Sequence, residues 1–111
     1  MEEFIQAVAL YAVLMGVDRP AVEIKDDIPS GRACQALAGQ YGEPLIQCAP
    51  KRWIFKLSDK RTLAVHELTH LRLYHHYGQG ERDHRGRLLL HGPEFQRIMR
   101  KYIKPRRRCQ A

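Results

Sequence analysis

Phe4, Val8, Tyr11 and Met15 recur at steps of four, three and four, the spacing that gathers apolar side chains into one stripe of a helix. Gly16, Asp18 and Pro20 follow and end the pattern. The spacing predicts a packing helix over 2–15. Val22 and Ile24 then alternate with Glu23 and Lys25, the period of a half-buried strand over 21–25, and Ile28-Pro29-Ser30-Gly31 reads as a turn. Residues 33–40 form a weaker strand candidate, closed by the turn residues of Tyr41-Gly42-Glu43-Pro44. Trp53, Phe55 and Leu57, alternating with Ile54 and Lys56, give the strongest strand signal in the chain.

Ser58 or Asp59 can cap a second helix that runs through Leu63 and Leu71 to about Tyr77, where Gly78 and Gly80 stop it. After a polar loop, Pro93 suits a first helical position, and Phe95, Ile98, Met99, Tyr102 and Ile103 make the apolar stripe of a third helix that Pro105 ends. This order predicts an α+β fold: a small, mostly antiparallel sheet of about three strands, with an N-terminal helix, a central helix and a C-terminal helix. With 111 residues, no internal repeat and no linker, the chain reads as one domain over 1–104 with a short basic tail over 105–111.

The apolar stretch from Phe4 to Val17 is too short to span a bilayer, which takes roughly 20 residues, and Glu2 and Glu3 stand where a signal peptide carries positive charge. A cytoplasmic monomer is the expectation. The three cysteines, Cys34, Cys48 and Cys109, contain no CxxC pair, so neither a disulfide framework nor a zinc ribbon is written here, and reduced thiols are expected.

The net charge of +7 is uneven. From Arg82 onward, Arg82, Arg85, Arg87, Arg97, Arg100, Lys101, Lys104, Arg106, Arg107 and Arg108 face only Asp83 and Glu94. Such a surface attracts polyanions through phosphate neutralisation and counterion release, and it equally serves as a solvated face. If DNA is a partner, Arg97, Arg100, Lys101, Lys104 and Arg106 to Arg108 are the candidate contacts, touching phosphate and reading no sequence.

In the middle of the second helix stands His66-Glu67-Leu68-Thr69-His70. Histidines four apart lie about 40° from one another around a helix, so both can present a ring nitrogen to one tetrahedral zinc ion. Glu67 between them can reach the metal-bound water and draw its proton as general base. This composition supplies an HExxH by accident only roughly 0.02 times per chain. A catalytic zinc needs a third protein ligand and an open position. The candidates are His75, His76, His84, His91, Glu81 and Glu94. On a helix continuing to Tyr77, His76 lies about 100° and His75 about 160° off the ligand face, which makes both surface histidines. His91 is favoured because it follows a loop long enough to return to the site and precedes a helix that can pin it. Glu94 is the alternative ligand, or an acceptor holding a ligand's other ring N–H.

HELTH, then an acidic and basic loop, then His91-Gly92-Pro93-Glu94-Phe95 and a basic amphipathic helix, resembles the SprT-like zinc metalloproteases, including the Spartan proteins. The resemblance covers most of the chain. It implies a minimal zincin-like core, with His66, His70 and His91 binding zinc, Glu67 as catalytic base and Phe95 packed beneath the site. It also implies a peptide substrate added along an edge strand and, as in Spartan-like members, DNA-dependent cleavage of proteins crosslinked to DNA. The chain departs from the family in its longer loop over 71–90 and in lacking the four-cysteine ribbon found after some SprT cores. Two other readings remain: a nucleic-acid-binding or regulatory protein that keeps the zinc site with little turnover, and a protease that cuts one repressor-like partner.

Overall fold

A computed structural model describes residues 2–28, 31–38, 43–52 and 60–103. The strand expected over 53–57, the caps Ser58 and Asp59, the helix stop Pro105, Cys109, and the basic residues Lys104, Arg106, Arg107 and Arg108 lie outside the described residues. So does the side chain of His76.

Helix α1 (Glu2–Met15) buries Phe4, Ala7, Val8, Ala12 and Met15, the stripe expected from its spacing with Tyr11 at the margin. These side chains pack on Leu63, Ala64, Leu68 and Leu71 of helix α2 (Lys60–Arg72). Burying each large apolar side chain stabilises by about 1.5–3 kcal/mol, so this helix pair holds α2 rigidly. Helix α3 (Pro93–Tyr102) lays Phe95 and Ile98 against α2 and leaves Arg97, Arg100 and Lys101 in solvent. Among the described residues, no helix is long and apolar enough to cross a membrane.

The α+β layout is the expected one, with three helices and a sheet of three strands, β1 (Ala21–Ile24), β2 (Cys34–Ala38) and β3 (Pro44–Cys48). The order is β1-β3-β2. Strands β2 and β3 form an antiparallel pair, and β3 inserts beside β1 in the parallel sense. Two reversals separate β1 from β3, so one of the two pairings is parallel where the sequence suggested a mostly antiparallel sheet. Cys34, Ile46 and Cys48 face the helices, with Val22 and Ala36 half-buried beside them. The other face is polar, where Gln35 Nε2 donates to Gln47 Oε1 at 2.8 Å and Gln47 Nε2 to Glu23 Oε1 at 2.7 Å.

The register places Cys34 directly opposite Cys48, Cα to Cα 4.1 Å, and a disulfide joins them. The expectation of reduced thiols is thereby corrected for these two. A cysteine count carries no register, and only the strand pairing brings residues 14 apart in sequence into contact.

The end of α2 is a second correction. The helix stops at Arg72, and Tyr74 turns the chain in the left-handed region (φ 57°) before a short 3₁₀ turn over His75–Tyr77 that Gly78 closes, also left-handed. A bulky residue in that region costs about 1–2 kcal/mol. The turn directs His75 inward, where it is buried, so the surface position expected for it does not hold.

Candidate metal centre

His66 and His70 share one face of α2, while Val65, Leu68 and Thr69 around them are fully buried. Thr69 satisfies its hydroxyl locally, donating Oγ1–H to the Val65 carbonyl at 2.6 Å. The two histidines are therefore presented by a helix fixed on its other sides. His66 Nε2 lies 3.2 Å from His70 Nε2.

His91 arrives from the far end of the loop. Arg82 and Leu88 form a bridge that folds the loop into a small hairpin, and the Asp83 carboxylate accepts from the backbone N–H of Arg85 and Arg87 at 2.8 and 2.9 Å. The Leu89 N–H bonds the Glu81 carbonyl at 2.8 Å. The Glu81 carboxylate accepts the backbone N–H of Glu94 in the first turn of α3, supplying the cap that Gly92 lacks a side chain to give. A long loop is thus tied at both ends, and His91 Nε2 is held 3.2 Å from His70 Nε2.

Among the described residues, His66, His70 and His91 bring their ligand atoms within 4.8 Å of one another and can hold a metal ion. Four ligands at about 2.0–2.1 Å around a tetrahedral zinc stand roughly 3.4 Å apart, close to the two 3.2 Å separations here. Phe95 lies beneath all three, its ring centroid 5.0, 4.7 and 4.9 Å from those of His66, His70 and His91. An aromatic floor of this kind limits rotation of each imidazole and keeps water from below.

Of the other ligand candidates, the two carboxylates are engaged elsewhere. Glu94 pairs with Arg97, whose Nε donates to Oε2 at 3.1 Å, and Glu81 caps α3. His84 is exposed in the hairpin. His75 does join the cluster, through the far side of His70: the two Nδ1 atoms lie 2.8 Å apart. Sequence spacing missed it because the turn at Tyr74 has no glycine or proline to announce it.

The histidines open onto a cleft of about 580 Å³, walled by Arg32–Ala36 on one side and by Thr62, Leu63, His66, Glu67 and His70 of α2 on the other, with His75, Leu90 and His91 at one end. Such a volume is in the range of small-molecule and peptide side-chain sites. Strand β2, which walls the cleft, is paired on one side only among the described residues.

The His66 and His70 rings are free of competing protons. Burial, and then the His91 ring, push His66 down to about 4; burial, and then His66, His75, His91 and Arg32, push His70 down to about 3. Both rings are neutral at pH 7, so a metal displaces no proton from them. Glu67 is buried at 4% exposure. Its burial pushes the carboxyl up to about 7, against a smaller downward pull from Arg32.

Of the basic residues singled out as DNA contacts, Arg97 is engaged with Glu94, while Arg100 and Lys101 are exposed on α3, with Lys101 Nζ 5.5 Å from the Tyr102 ring centroid.

No family model, curated protein or solved structure matches the chain.

Proposed function

We propose that this chain is a zinc-dependent endopeptidase of SprT-like type. The carrying observation is the convergence of His66, His70 and His91 beside a buried glutamate at the edge of a cleft. Three histidines with no fourth protein ligand among the described residues suit a catalytic zinc, since structural zinc sites generally close all four positions with protein. Zinc, when bound there, supplies Lewis-acid polarisation of a carbonyl and lowers the pKa of water.

The remaining roles fall to the chain's own groups. Glu67, with its carboxyl pushed up to about 7, is poised to take a proton from water near neutral pH and later pass it to the leaving amine. Its place one residue after His66 puts it on the cleft wall beside the ligands. The side of β2 that no described strand covers suits an extended peptide lying along the cleft wall as an added strand. The small side chains there, Ala33, Cys34 and Ala36, leave room for a main chain to approach.

Proteins bound or crosslinked to DNA are the substrate class that the basic third of the chain supports, with Arg100 and Lys101 on α3 available to phosphate. An intracellular location follows from that reading.

The test is cleavage of an unstructured protein by the zinc-loaded chain, with and without single-stranded DNA, beside Glu67→Gln. Cleavage by wild type and a loss of at least about 10²-fold in Glu67→Gln, with metal retained, are expected. Absence of cleavage by wild type over varied unfolded substrates, in both conditions, would make this a binding or regulatory domain that keeps a metal site. Cleavage indifferent to DNA would retain the protease and remove the DNA-linked substrate.

A further inference from the structure

His75 is the one histidine of the cluster that the metal site does not use. It is buried at 9% exposure, its Nδ1 lies 2.8 Å from Nδ1 of His70, and its ring is stacked toward Phe95, 15° from parallel with centroids 6.3 Å apart. The opposite side is closed by the loop. Gly80 sits at φ 126°, and a Cβ there would fall 2.8 Å from Cδ2 and Nε2 of the His75 ring. Only a glycine lets the backbone approach so closely.

We propose that His75 is a positioning residue for the metal ligand His70, accepting its Nδ1–H and so fixing which nitrogen faces the metal. The inference rests on the reading of His66, His70 and His91 as metal ligands. The direction of the bond follows from chemistry. A metal on His70 Nε2 takes that lone pair, so the ring proton must be on Nδ1. Nδ1 then donates, and His75 Nδ1 must be the acceptor.

Metal-binding histidines usually give this second N–H to a carboxylate, a carbonyl or water, and losing that partner typically costs 10–100-fold in metal affinity. Here a second imidazole takes the role. It orients the ring without adding a negative charge next to the metal. The left-handed turn at Tyr74 acquires a purpose on this reading, since a helix continued past Arg72 would carry His75 to the opposite side.

The test has two arms. In uniformly ¹⁵N-labelled, zinc-loaded protein, a scalar coupling across the hydrogen bond between His70 Nδ1 and His75 Nδ1 is expected, with His70 in the Nδ1–H tautomer. This arm needs no variant. In the second arm, zinc affinity is measured by chelator competition in wild type, His75→Leu and His75→Asn. Leucine and asparagine have similar shapes, but only asparagine keeps an acceptor near the place of Nδ1. A 10–100-fold weakening in His75→Leu, largely recovered in His75→Asn, is expected.

Absence of the coupling in zinc-loaded wild type, or equal affinity in His75→Leu and wild type, would overturn the role of His75 while leaving the metal site intact. Equal weakening in both variants would reduce His75 to packing. Failure of wild type itself to bind zinc would overturn the metal reading and this inference with it, and is seen before any variant is made.

Discussion

The Glu81 carboxylate accepts the backbone N–H of Glu94, a contact across 13 residues that ties the start of the loop to the first turn of α3. Between them lies His91, the member of the three-histidine cluster that α2 does not carry. The contact does two jobs: it satisfies an N–H that the helix cannot, and it sets a carboxylate against the positive end of the helix dipole.

Glu81→Ala is therefore expected to lower stability by about 0.5–2 kcal/mol, the range for loss of a helix cap, and to weaken metal binding through the freedom given to His91. Thermal denaturation with and without zinc checks it. The zinc-induced rise in Tm should shrink in Glu81→Ala, and an unchanged rise would separate the cap from the site.

The metal-free protein should show two opposite pH slopes. Glu67 titrates at about 7 when folded against an ordinary 4.5, so the folded state holds a proton that the unfolded state releases, and stability falls as pH rises from about 4.5 through 7. His66 and His70 titrate at about 4 and 3 against an ordinary 6.5. Below 6.5 the unfolded state binds the extra protons, and stability falls as pH drops toward those values. In chelator, Glu67→Gln should be more stable than wild type at pH 8 by on the order of 2–3 kcal/mol and nearly equal to it at pH 4. Equal denaturation curves at pH 8 would mean that Glu67 is not desolvated.

The Cys34–Cys48 bridge links β2 to β3 across a sequence separation of 14. Closing a loop of that size stabilises by about 3 kcal/mol in the chain-entropy description. Reduction, or Cys48→Ala, should cost about that much. Thiol titration of the denatured chain should count two more reactive groups after reduction than before it, and an equal count would exclude the bridge.

The two halves of the site were unequally legible in the sequence. His66, Glu67 and His70 follow from a short motif whose geometry is local to one helix, and the apolar stripes of α1 and α3 were equally local. The return of His91 was suggested by loop length and by the stripe after it, but the hairpin and the Glu81 cap that hold it depend on contacts across the loop. Strand β3 was passed over because its five residues begin with Pro44, which lacks a ladder donor and is tolerated at the first position of a strand. The Cys34–Cys48 pairing needed that strand's register. His75 was misplaced because propensity extends α2 to the glycines at 78 and 80, whereas the chain turns at Tyr74, where burial of His75 against His70 and Phe95 offsets the backbone cost.

The reading depends most on one metal held by three histidines, and elemental analysis of zinc per chain tests it directly. Wild type, His91→Ala and Glu94→Ala, loaded with zinc and dialysed against a mild chelator, should hold about one zinc, none and about one, because Glu94 is engaged with Arg97 and His91 faces His70. Wild type without zinc after loading, or His91→Ala retaining it as firmly as wild type, would contradict the three-histidine site.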